Sequence, residues 1–259
     1  MSMAPAWDQL QGEAIEVVTG AGLAGVTLRV VGSGGIRLHC AGPGEAMDRL
    51  GRPAKDIDFI VPKEDRKGMR RYLESRGYIV DRNLLVAMEG KRYSFAHPEN
   101  KIEIDIFVER LEFNHTIEVR HRLDKHRFTI PLEELLLQKL QIVSLSVTDI
   151  LDLGVLLGTH PVVPEAGGAE EIDGRHIATL LAKDWGFHHT SVRNLQRVRE
   201  AAGQACDLGE EVNVSIVERV DLLLGVIDGQ SKSRAWRLRA KVGERMQWWE
   251  DVDEREATY

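Results

Sequence analysis

Residues 52–61 read Arg-Pro-Ala-Lys-Asp-Ile-Asp-Phe-Ile-Val. The run from Ile57 to Val61 is β-branched and aromatic and Pro62 closes it, which is the signature of a strand. Residues two apart in a strand share a face, so Asp56 and Asp58 project together while Ile57 and Phe59 turn the other way. Two carboxylates held this close repel, and each raises the other's pKa unless a cation lies between them. A hard divalent ion with oxygen ligands, Mg²⁺ above all with Mn²⁺ as its substitute, resolves the conflict. Alone, an Asp-x-Asp pair is a weak signal, because solvated edge strands often alternate apolar and acidic residues.

The flanking sequence strengthens it. Upstream, residues 27–31 (TLRVV) form a short β-branched run that stops at Gly32-Ser33-Gly34-Gly35 and is followed by IRLHC. The pattern reads as strand, tight turn, helix. Such a turn leaves backbone N–H groups at a helix N-terminus, which suits a polyphosphate. Downstream, residues 102–108 (IEIDIFV) alternate strictly. Ile102, Ile104, Ile106 and Val108 would line one face, with Glu103, Asp105 and Phe107 on the other. Asp105 thus supplies a third carboxylate from a separate strand able to pair alongside the first. Metal-binding acids and a phosphate-binding turn imply one another.

Between and around these motifs the chain is organised in two halves. Residues 8–24 have helical spacing, 63–76 read as an amphipathic helix stopped by Gly77, and residues 78–80, 84–88 and 92–95 are predicted as strands of a meander. After Pro131 the pattern becomes helical throughout: LEELLLQKLQIV, TDILDLGVLLG, and stretches near 174–185, 190–206, 211–228 and 232–250. Thr148, Asp173 and Thr190 are the expected N-caps. The expectation is an α/β domain with a mixed sheet flanked by helices over residues 1–130, then a helical domain over 131–259.

Composition sets outer limits. No apolar run approaches the eighteen residues of a membrane span, so no membrane partner is expected. The N-terminus lacks a signal peptide's basic start and apolar core, and two cysteines give neither a disulfide framework nor a metal-ligand spacing, so the cytoplasm is the expected compartment. A net charge of −7 argues against a dedicated nucleic-acid binder, although residues 115–127 and 231–245 are locally basic.

The segments VVGSGGIRLHC, RPAKDIDFIV and KIEIDIFV together resemble the glycine, Asp-x-Asp and third-acid motifs of the DNA polymerase β nucleotidyltransferase superfamily. Within it the chain is most similar to the abortive-infection group of type IV toxin–antitoxin systems, on Gly32, Ser33, Arg52, Asp56, Asp58, Lys139, Asp149 and Asp152. The likeness spans residues 27–158. It implies a nucleotidyltransferase fold, with Asp56, Asp58 and Asp105 catalytic and holding Mg²⁺ or Mn²⁺, and with Gly32, Ser33, Arg52 and Lys139 contacting a nucleoside triphosphate such as ATP. It implies transfer of a nucleoside monophosphate to a hydroxyl of a small molecule, an RNA such as tRNA, or a protein, and a cognate antitoxin as partner. Gly34-Gly35 is an alternative register for the glycine motif, and residues 40–51 look like an insertion relative to compact members.

Lys139 stands in an otherwise apolar helix, either as a nucleotide contact or as a lysine snorkelling over the core. Asp149 and Asp152 share a helix face, where capping is the plainer role. His188 and His189 point different ways on a helix and have no partner ligands at metal spacing. A dinucleotide-binding fold fails because no Gly-x-Gly-x-x-Gly is completed. The rival function is a non-catalytic nucleotide-binding or interaction module on the same fold.

Overall fold

The structure, a computed structural model, describes residues 6–40 and 56–251. These form two compact units, one of residues 6–40, 56–111 and 118–131, the other of 112–117 and 132–251.

The first unit is built on a five-stranded mixed sheet. Its strands are β1 (Arg29–Val30), β2 (Ile57–Val61), β3 (Ile79–Val80), β4 (Arg92–Ala96) and β5 (Glu103–Val108), in the spatial order β1-β2-β5-β4-β3. The β2–β5 pair at the centre is parallel and the other pairs are antiparallel. Register sorts the side chains into two faces. Val30, Ile57, Phe59, Val61, Tyr93, Phe95, Ile104 and Ile106 belong to one buried cluster. Packed in that cluster are Leu10, Ala14 and Val17 of helix α1 (Trp7–Leu23) and Met69 and Leu73 of helix α3 (Arg66–Ser75). The opposite face therefore carries the residues between them: Asp58 and Ile60 on β2, Asp105 and Phe107 on β5, Arg92 and Ser94 on β4.

Local chemistry accounts for the elements. Helix α3 ends in a Schellman motif: Gly77, at φ +92°, donates to the Glu74 carbonyl and Tyr78 to that of Leu73. Two expectations are corrected here. The glycine cluster is not a turn ahead of a helix but the first turn of helix α2 itself, which runs Gly32–His39. Gly32 at φ +66° makes the bend from β1 into the helix in a single residue. Residues 84–88 are not a strand: α4 (Arg82–Ala87) is a short helix, because the Asp81 carboxylate accepts from the Asn83 and Leu84 amides and starts it. Apolar periodicity over five residues cannot separate those outcomes; the cap decides.

The second unit is helical: α5 (Leu132–Leu140), α6 (Val147–Thr159), α7 (Gly174–Leu181), α8 (Trp185–Ala201), α9 (Glu210–Gly229) and α10 (Arg234–Val242). Two short parallel strands, Val162–Val163 and Ile172–Asp173, bracket the loop between α6 and α7. Gly154 and Gly158, one turn apart on α6, let Cys206, Val212 and Ile216 approach its backbone. Asp173 caps α7 as expected. Ser146 rather than Thr148 caps α6, in a capping box with Asp149, and Asp184 rather than Thr190 caps α8, so that helix begins five residues early. Thr190 instead sits inside α8 and donates to the Gly186 carbonyl. The terminal helix ends at Val242, and residues 246–250 lie back on the unit without helical structure. Among the described residues no helix is long and apolar enough to cross a membrane.

Candidate active site

Asp58 and Asp105 are Cα partners across the parallel β2–β5 junction, and partners across a ladder point to the same face. Both are half-buried while Ile57, Phe59, Ile104 and Ile106 around them are fully buried on the opposite face. Asp56 immediately precedes β2, two residues ahead of Asp58. The strand pattern read in both segments thus brings two acids from distant parts of the chain side by side.

The start of α2 meets Asp58 directly. The Val31 amide donates to the Asp58 carbonyl at 2.9 Å, which fixes the end of β1 against β2 at this residue. The next residue, Gly32, is buried, and a Cβ placed on it would lie 2.6 Å from Asp58 Oδ2. Only a residue without a side chain lets the start of α2 sit on that carboxylate. The N-cap residue, Val31, offers no side-chain acceptor to this helix start, and Ser33, the second residue of the helix, is half-buried. A helix start beside a carboxylate is the arrangement in which backbone donors and a cation can share one polyanion.

The donor set fits a divalent metal. Carboxylate oxygens are what Mg²⁺ and Mn²⁺ take, and the space at Gly32 beside Asp58 Oδ2 is one that any side chain would fill. One group at the site carries no signal in the sequence motifs. Arg92 Nη2 donates to Asp105 Oδ2 at 2.6 Å, and the guanidinium lies 5.1 Å from the centre of the Phe107 ring. A basic residue opening a strand of aromatic and small residues is unremarkable in sequence. Its role follows from register alone, since Arg92 pairs with Phe107 and so reaches diagonally to Asp105.

The remaining candidates are placed as follows. Arg52 lies outside the described residues. Lys139 belongs to the helical unit, is 5% exposed, and bonds Asp149 Oδ1 at 2.9 Å and Asp152 Oδ2 at 2.8 Å. Burial works to raise the Asp149 carboxyl, but the Lys139 ammonium and the Ser146 hydrogen bonds outweigh it and hold the group below its ordinary value. Asp149 therefore serves both as partner of the capping box and as counter-ion, and Lys139 is committed to two carboxylates. His188 packs edge-on against Trp236 and His189 stacks on Trp185. Burial pushes the His188 imidazole down to about 4.

No family model and no curated protein sequence matches the chain. Among solved structures, it is similar to an antigenic nucleotidyltransferase-like protein from Paracoccidioides brasiliensis, with 11% identity over 90% of this chain and 98% of that one and a TM-score of 0.41.

Proposed function

We propose that the chain is a metal-dependent nucleotidyltransferase that moves a nucleoside monophosphate from a nucleoside triphosphate to a hydroxyl of a small molecule, an RNA or a protein. The observation that carries this reading is the in-register pairing of Asp58 and Asp105 on one face, with the start of α2 laid against Asp58. The motif resemblance described above points the same way.

In this reading Asp56 and Asp58 hold the divalent cation. Bound Mg²⁺ would offset triphosphate charge and ease loss of pyrophosphate. The amides of the first turn of α2, with the Ser33 hydroxyl, grip the outer phosphates, and Gly32 keeps that turn close to the carboxylates. Asp105 takes the proton of the attacking hydroxyl as it adds to the α-phosphorus in line with the leaving pyrophosphate. The sheet contributes rigidity, so these groups need no reorganisation as charge moves.

The test is incubation of the full chain with each labelled triphosphate and Mg²⁺, alone, with total RNA, and with small hydroxyl acceptors. Label in the protein, the RNA or the small molecule identifies the acceptor class, and Asp58→Asn abolishes it. A second reading, a nucleotide-binding module without transfer, is favoured by the Arg92 guanidinium that already neutralises Asp105. It requires triphosphate binding with no label in any acceptor. A cognate antitoxin is the protein partner to seek by co-purification, on the family resemblance alone.

A further inference from the structure

Helices α9 and α10 present faces of opposite charge to solvent. On α9, Ile216, Val220, Leu223 and Ile227 are buried. Glu211, Val214, Glu218 and Leu222 are exposed, and their spacing of three, four and four residues sets them on one stripe. Helix α10 has no buried residue. Its Trp236 lies edge-on to His188 and its Arg239 over the Trp185 ring, so that side faces the unit. Arg234, Arg237, Leu238 and Lys241 occupy the other side, all exposed. Glu244, just beyond the helix, is paired with His189. Among the described residues no acid lies within ion-pair distance of Arg234, Arg237 or Lys241.

The two stripes match. Glu211 and Glu218 are seven residues apart, as are Arg234 and Lys241, a separation of about 10.5 Å along either helix. Val214 stands between the acids at 53% exposure, and Leu238 between the cations at 65%. Both aliphatics are in water, so the two faces do not cover each other within one copy.

We propose that the basic stripe of α10 docks on the acidic stripe of α9 in a second copy of this chain. Helices laid side by side with matching seven-residue spacing close an aliphatic seam between flanking ion pairs. Val214 and Leu222 of one copy and Leu238 of the other form that seam, and Glu211 and Glu218 meet Arg234 and Lys241 across it. A nucleic-acid backbone would use the cations but leave Leu238 in water and give α9 no part. A second copy uses both stripes and both kinds of side chain. The exposed ion pairs set register and partner more than strength, so the association is weak and falls with salt. Neither stripe carries a residue of the carboxylate site, so self-association is independent of nucleotidyl transfer.

Sedimentation equilibrium of the full chain tests this. The mass of wild type should rise above that of one chain with concentration at low salt, and return to it at about 1 M salt, where screening acts within about 3 Å. Arg237→Glu with Lys241→Glu makes both stripes acidic, and Glu211→Lys with Glu218→Lys makes both basic. Each double variant should associate at least about tenfold more weakly than wild type, because like charges then oppose. An equimolar mixture of the two sets acid against base at both contacts and should recover the association. All four positions are exposed, and far-ultraviolet circular dichroism checks that each variant is folded. Leu238→Ala should weaken the association without lowering Tm, and this arm stands if a reversed pair fails to fold. Wild type at the mass of one chain throughout, variants that associate as wild type does, or a mixture that stays at the mass of one chain would each overturn the proposal. Wild type that stays single and binds total RNA, with that binding lost in the α10 variant, would overturn it too and assign the cations to a nucleic acid.

Discussion

Gly32 lies so close to Asp58 that a methyl group added to it would sit 2.6 Å from the carboxylate oxygen. Its φ of +66° separately disfavours any side chain. Gly32→Ala should thus cost about 1–3 kcal/mol of stability from backbone strain and also displace the Asp58 carboxylate. Urea unfolding reads the first effect and Mn²⁺ titration the second. A variant as stable as wild type with undiminished Mn²⁺ affinity would contradict both.

Asp58→Asn addresses the site without the strain. The protein should keep its far-ultraviolet circular dichroism and lose the rise in melting temperature that Mg²⁺ and a triphosphate give wild type. At a ligand concentration a hundred times Kd that rise corresponds to about 2.7 kcal/mol. Wild type that gains nothing at millimolar triphosphate is the outcome against the proposed function.

In the helical unit, Lys139 neutralises two buried acids. Lys139→Met keeps most of the volume but takes the ammonium counter-ion from Asp149 and Asp152, and should destabilise the protein by about 3–5 kcal/mol. Adding Asp152→Asn to that variant should recover part of the loss. If Lys139→Met costs less than about 1 kcal/mol, the ion cluster contributes little beyond what a surface pair would.

His115 gives a pH signature. Burial pushes its imidazole down from 6.5 to about 4, against a smaller opposing pull from Asp184. It stacks on Phe187 and hydrogen-bonds Thr190. Between pH 6.5 and about 4 the unfolded chain holds a proton here that the folded chain does not, so stability falls as pH drops through this window. The slope from this one group approaches about 1.4 kcal/mol per pH unit. His115→Gln should flatten the stability–pH curve over that range, measured by urea midpoints. An unchanged slope would show that His115 titrates normally in the folded protein.

Alternation made much of this site legible. Asp105 sits in a segment that alternates strictly and Asp58 lies two residues after Asp56 in a strand, and burial of Ile57, Phe59, Ile104 and Ile106 on one face sends the acids to the other. Gly77 and Asp173 act as stop and start where their types suggest. What sequence could not carry is anything set by register or by competition between caps. Arg92 reaches Asp105 only because β4 pairs antiparallel at that offset. Residues 84–88 have the composition of a strand, and one aspartate ahead of them turns them helical. Lys139 announced that it needed a partner but not which one, since its two carboxylates lie ten and thirteen positions further along, across a connecting turn.

The edge of the sheet beside β1 has a consequence for how the molecule forms. Val30 donates to the Phe128 carbonyl and accepts from the Ile130 amide, so the outer neighbour of the first strand is supplied about a hundred residues later. Asp58 likewise waits for Asp105. Contacts of such long sequence separation close slowly, because the entropy of the intervening loop is lost before they form. A growing polypeptide on the ribosome therefore holds its glycine turn and first two acids for some time before the third arrives. The three carboxylates of the proposed site should therefore come together only when β5 pairs with β2, in one long-range step of folding.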